Sequence, residues 1–132
     1  MTRAWLALGS NLGDRAGYLQ ATRDSLARAG VTINRASAVT ETEPVGVLTQ
    51  PRFLNQVLEV ETDLEPRALL TTIKRLEAEL GRQARERWGP REIDIDILRY
   101  DDRVVNEPGL TIPHPELPHR PFLQVLLEEV AS

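Results

Sequence analysis

The chain reads as an α+β protein with a ferredoxin-like βαββαβ core: a central, mostly antiparallel sheet with helices on both faces, three layers αβα. Three observations predict this. Apolar runs of period two and period 3.6 follow in the order strand, helix, strand, strand, helix, strand. Gly30 and Gly81 stand where the two helical stripes stop, as C-terminal glycines do. A third stripe, Leu123, Leu126, Leu127 and Val130, follows a Pro-rich segment and can cover the sheet face left open by the first two helices. The 132 residues are enough for one domain, 1–132, with its own core.

Bulk composition narrows the function. Apolar residues at 41% and charged residues at 27% are ordinary for a globular domain. A net charge of -4 speaks against nucleic acid as the main partner, so an anion site must come from a local cluster of arginine. The stretch from Arg82 to Arg91 is the dense one. With no Cys there is no disulfide frame, thiolate chemistry or Cys-bound zinc. No run is long enough to span a membrane, and Trp5 to Leu8 is too short for a signal-peptide core. The expectation is a cytoplasmic protein with no membrane partner.

Each element has its own signal. Ala4-Trp5-Leu6-Ala7-Leu8 is almost wholly apolar and reads as a central strand. Gly9 to Asp14 is a turn and helix start with Ser, Asn and Asp as caps; it lacks the Lys-Ser/Thr of a P-loop. The first helix runs from about Asp14 to Ala29 on the stripe Leu19, Thr22, Leu26, Ala29. Val31 to Thr40 reads as one irregular strand, broken by Pro44 and Gly46, and the loop up to Pro51 is a plausible binding segment. Phe53 to Thr62 is the third strand. It sets Asn55 on a face with Phe53 and Val57, where an amide needs partners, protein or ligand. The second helix starts near Glu65-Pro66 and buries Leu69, Ile73, Leu76 and Leu80, with Glu77 at the edge of the stripe. Asp101-Asp102 turns the chain, and Val104-Val105 forms a short edge strand. Pro108 to Pro121 embeds His114 and His119 ahead of the last helix.

The chemistry concentrates between Arg85 and Tyr100. Ile93, Ile95 and Ile97 fall on one face of a strand; Asp94 and Asp96 fall on the other, roughly 6.6 Å apart along the backbone. Arg85, Arg87 and Arg91 precede them around Trp88-Gly89-Pro90. Carboxylates for a hard cation beside guanidiniums for phosphate make up a metal–nucleotide site. Asp-x-Asp alone often marks only the wet face of a sheet. Asp is disfavoured within strands, however, and an indole has little reason to sit in a bare surface loop.

The order of motifs resembles the 6-hydroxymethyl-7,8-dihydropterin pyrophosphokinases of folate biosynthesis. Leu8 to Asp14, Thr42-Glu43-Pro44-Val45-Gly46, Phe53-Leu54-Asn55, Arg87 to Arg91 with Asp94-Ile95-Asp96, and Pro113-His114-Pro115 with Arg120 and Phe122 carry the resemblance from Trp5 to about Val130. It implies transfer of pyrophosphate from ATP to the pterin hydroxymethyl group by a monomer. Two Mg²⁺ ions would be held by Asp94 and Asp96, with Arg82 and Arg91 completing the catalytic set. On the nucleotide side it implies Glu77, Arg82, Arg85, Arg87, Thr111, His114 and Arg120. On the pterin side it implies Thr42, Pro44, Val45 and Asn55, with Phe53 and Phe122 sandwiching the ring and Trp88 closing over it. Independently of the resemblance, the arginine-rich stretch from Arg82 to Pro90 reads as a lid that orders over phosphate. A metal-dependent phosphohydrolase and a non-catalytic ferredoxin-like ligand-binding module are the competing readings.

Overall fold

The computed structural model describes residues 1–44, 49–82 and 91–131. Strand β1 (Thr2–Ser10) leads through helix α1 (Arg15–Arg28) to β2 (Val31–Ala36) and β3 (Thr40–Thr42). Then come β4 (Phe53–Thr62), α2 (Pro66–Glu79), β5 (Asp94–Tyr100), β6 (Val105–Glu107), β7 (Leu110–Ile112), one 3-10 turn (Leu117–His119) and α3 (Pro121–Val130). The sheet order is β2-β4-β1-β5, every pairing antiparallel, with β3 extending the β4 edge beyond β2. This is the expected ferredoxin-like arrangement.

The period-two pattern sorts the strands between two cores. Leu6, Leu8, Leu58, Val60 and Ile95 face α1 and α2, meeting Leu19, Leu26, Leu69 and Ile73. Ala7, Val57 and Leu98 face α3, meeting Leu123, Leu126 and Leu127. Each fully buried leucine is worth about 1.5–3 kcal/mol, so both helical layers are held by burial rather than by surface charge. Helix α1 begins one residue after Asp14 because that carboxylate caps it, accepting the Gly17 N–H at 3.0 Å.

Two elements differ from the sequence reading. The strand expected over Val31 to Thr40 is interrupted at Ser37. Its hydroxyl oxygen accepts the Val57 N–H at 2.9 Å while its own N–H donates to the Val57 carbonyl at 2.8 Å. A side chain thus stands in for a ladder partner, and the chain re-enters the sheet as β3. The single edge strand expected at Val104-Val105 is instead a separate hairpin, β6 with β7, turned at Gly109 with φ 74°. Only glycine adopts that conformation without strain. Val104 itself is 82% exposed.

Candidate active site

At one end of the sheet, on the α3 side, β1, β4, β5 and the segment before α3 enclose a hollow of about 290 Å³. Its walls carry Thr42, Phe53, Asn55, Arg91, Asp94, Asp96, His114, Arg120 and Phe122, which the sequence singled out, and also Gly9, Glu43, Leu98, Glu116 and Leu123. Gly9 forms part of the floor. A Cβ there would stand 3.4 Å from Asn55 Oδ1 and 3.5 Å from the Phe53 ring, so the absent side chain is what leaves room between them.

The carboxylates come from β5, which among the described residues is an edge strand paired only with β1 within the sheet. The Ile95 N–H, between the two aspartates, donates to Glu77 Oε2 at 2.8 Å, so α2 closes this stretch of the edge. Glu77 is buried, and it also takes Arg82 Nη1 at 2.7 Å and Lys74 Nζ at 3.3 Å. Arg82 Nη1 reaches Asp94 Oδ1 at 3.0 Å, and Arg91 Nη1 reaches Asp94 Oδ2 at 3.0 Å. His114 Nε2 lies 3.7 Å from Asp96 Oδ1. The His114 ring is aimed by its other nitrogen, since Nδ1 accepts the Glu116 N–H at 3.1 Å and so leaves the proton on Nε2.

Burial and the neighbouring Asp96 charge push the Asp94 carboxyl up to about 6, against the pull of Arg91 and Arg82. Burial pushes Asp96 up as well, but the nearby His114 imidazole outweighs it and holds that carboxyl below its ordinary value. Asp96 in turn raises the imidazole, with burial opposing. Two carboxylates that crowd each other electrostatically, with side chains still 20% and 38% exposed, suit a divalent cation. Among the described residues no cluster of three or more His, Cys, Asp or Glu could hold a metal. Two hard oxygen donors with the remaining positions left to phosphate and water fit Mg²⁺ better than a metal needing an all-protein cage.

Both amide protons of Asn55 are engaged, with Thr42 Oγ1 at 2.6 Å and the Thr40 carbonyl at 3.3 Å. The Thr40 carbonyl fixes which way the amide points, and among the described residues Oδ1 accepts no hydrogen bond, which suits it to a ligand donor. Asn55 is therefore both a satisfied internal amide and a candidate contact. Phe53 and Phe122 both line the hollow, and Arg120 Nε lies 3.8 Å from Glu116 Oε2 at its rim.

Other expected site residues lie elsewhere. Thr111 is exposed on β7 and Pro44 is buried after β3; neither lines the hollow. Glu77 and Arg82 reach it only through Asp94 and the β5 backbone. Val45, Arg85, Arg87 and Trp88, and with them the lid expected from Arg82 to Pro90 except Arg82 itself, lie outside the described residues. Sequence reasoning named Glu43 only as part of the Thr42 to Gly46 motif and passed over Glu116; both line the hollow.

An antiparallel sheet that sets paired carboxylates and two arginines beside an aromatic-lined hollow has the make-up that nucleotide-dependent group transfer needs. The family model for 7,8-dihydro-6-hydroxymethylpterin-pyrophosphokinase matches residues 5–132, and the chain belongs to that family. It is 42% identical over 130 residues to the 2-amino-4-hydroxy-6-hydroxymethyldihydropteridine pyrophosphokinase of Bacillus subtilis, covering 98% of this chain and 78% of that one. To the protein of the same name from Aquifex aeolicus it is 44% identical over 130 residues, covering 81% of that chain. Among solved structures, Plasmodium falciparum HPPK-DHPS superposes with a TM-score of 0.71 at 18% identity. That likeness covers 98% of this chain and 40% of the solved one, and it speaks for the fold.

Proposed function

We propose that this hollow is where the family's reaction takes place, with Asp94 and Asp96 as the metal ligands and Asn55, Phe53 and Phe122 as the pterin wall. The reaction moves pyrophosphate from ATP to the hydroxymethyl group of 6-hydroxymethyl-7,8-dihydropterin, in folate biosynthesis. The pterin oxygen bonds to the β-phosphorus, the bond from that phosphorus to the α-phosphate oxygen breaks, and AMP leaves. The observation that carries the reading is the meeting of Asp94, Asp96 and Arg91 with Asn55 and the two phenylalanines around one hollow.

The residues divide the work. Arg82 and Arg91, now on Asp94, are placed to take triphosphate oxygens, and fixed guanidiniums stabilise the charge that shifts during transfer. His114 and Arg120 extend that positive wall toward the nucleotide. Asn55 Oδ1 accepts from the donor-bearing edge of the pterin, while the phenylalanine rings cover its flat faces. Two Mg²⁺ ions, held by Asp94 and Asp96, would neutralise the triphosphate and acidify the attacking hydroxyl. We assign no side chain as general base; positioning and charge neutralisation carry the catalysis. The same reading makes the chain a cytoplasmic monomer acting on free small molecules. Among the described residues no helix is long and apolar enough to cross a membrane.

Following AMP release from ATP and Mg²⁺, with and without the pterin, tests this. The expected result is AMP appearing only with the pterin and matching pterin diphosphate mole for mole. Equal ATP breakdown without pterin would instead make the site that of a phosphohydrolase.

A further inference from the structure

Glu116 is an acid in the wall of a hollow proposed to take a triphosphate. Asp94 and Asp96 have a use for their charge in the proposed metal, and Glu43 is paired with Arg52 at 2.8 Å. Glu116 faces Arg120. The two residues cap the 3-10 turn at its start and its end, and Arg120 also opens α3. The turn brings Arg120 Nε to 3.8 Å from Glu116 Oε2, and Glu116 is the one ionic partner of Arg120 among the described residues. Pro115, Pro118 and Pro121 flank both residues, and their fixed φ stiffens the backbone that carries the pair. The side chains are held far less firmly. At 3.8 Å the pair is too long for a hydrogen bond, and its side chains are 42% and 25% exposed, so it is a loose attraction. Arg82 and Arg91, by contrast, each meet Asp94 at 3.0 Å.

We propose that Glu116 is a positioning residue that parks Arg120: it holds the guanidinium at the rim while the hollow is free of phosphate, and takes it back as the phosphorylated product leaves. This rests on the proposed reaction. The stiff backbone means that only side chains exchange partners. A phosphate group carries more charge than a carboxylate and accepts a guanidinium fork in two places, so an arriving nucleotide wins Arg120 from Glu116. It binds less tightly for having to do so. The same competition weakens ATP and the pterin diphosphate alike, because both present phosphate to Arg120. Glu116 therefore gives up some affinity for the substrate and hastens release of a product that carries the transferred group.

Two simpler roles predict other results. A Glu116 that only stabilises the turn predicts a lower melting temperature on substitution and no gain in binding. A plain negative charge near the phosphates predicts tighter binding whether or not Arg120 is present. The test is calorimetric titration with a non-hydrolysable ATP analogue and Mg²⁺. Glu116→Gln keeps the size of the side chain and the backbone N–H that aims His114. It should tighten the analogue by about threefold, the scale of one partly exposed pair, and the gain should fade in about 0.5 M salt. In turnover the KM for ATP should fall by the same factor with no rise in kcat. Arg120→Gln should weaken the analogue, and Glu116→Gln added to it should change the constant by less than about 1.5-fold. Unchanged or weaker binding in Glu116→Gln overturns the inference and leaves the proposed reaction standing. So does tightening that persists without Arg120, or an Arg120→Gln that binds as well as the unaltered chain. A loss beyond about a hundredfold in Arg120→Gln also overturns it, since a guanidinium that so loose a pair can restrain makes only a modest contact. An unaltered chain that binds no analogue overturns the proposed reaction itself, and this inference with it.

Discussion

Asp94 is under two opposing demands: its burial beside Asp96 favours the neutral acid, and its proposed role requires the anion. Its folded value of about 6 lies above the ordinary 3.8, so between those values the folded chain keeps a proton that the unfolded chain gives up. Its contribution to stability is therefore full below about 3.8 and is lost as pH rises through about 6. Asp94→Asn should accordingly raise the melting temperature of the chain without ligands at pH 7.5, by roughly 4 °C for each kcal/mol recovered. The same change should lower pyrophosphate transfer by more than about a hundredfold. Thermal unfolding and turnover on one preparation check both. Asn55 makes a second prediction at this scale. Asn55→Ala leaves a pterin donor unpaired and should cost about 1–3 kcal/mol in pterin affinity, with ATP affinity nearly unchanged. Equal losses for both ligands in calorimetry would mark Asn55 as purely structural. The aspartate pair was legible in the sequence because both residues sit on one strand at period two. Glu116 was not, because the 3-10 turn that sets its carboxylate beside Arg120 is three residues long and shows no period in the sequence.

At the scale of elements, β5 is the strand that carries the two proposed metal ligands, and it lies at an edge of the sheet. An edge strand has unpaired backbone groups, and Glu77 of α2 satisfies the one between the two aspartates. The sequence marked Glu77 only as a charge at the border of an apolar stripe, since periodicity does not tell a buried clamp from a solvated residue. Glu77→Ala should leave the Ile95 N–H and Arg82 without their partner and cost about 1–3 kcal/mol in denaturant unfolding. Because Glu77 does not line the hollow, kcat should fall more than the KM for ATP rises. The reverse pattern would make it a nucleotide contact. The order of elements and both helices facing one core were legible, because long periodic runs are strong signals. The break at Ser37 was not, because it depends on a hydroxyl replacing a backbone partner on a strand 20 residues later. The β6–β7 hairpin was missed because three-residue strands carry too little pattern to be read.

Over the whole molecule, the fold brings one end of three strands and the start of α3 to one hollow, with a packed core on each face of the sheet behind it. The hollow is lined by arginines and aspartates on one side and by phenylalanines on the other, which suits the proposed transfer between a nucleotide and a pterin. The central claim is that Asp94 and Asp96 hold the metal that brings the halves together. Diffraction from crystals grown with a non-hydrolysable ATP analogue, the pterin and Mn²⁺ in place of Mg²⁺ tests it most directly, because manganese can be located by its anomalous signal. The account predicts metal between these two carboxylates and the phosphates at about 2.1–2.2 Å from their oxygens, with Arg82 and Arg91 turned from Asp94 onto phosphate. Metal bound away from both aspartates, with the two arginines still on Asp94 beside an occupied nucleotide site, would contradict it.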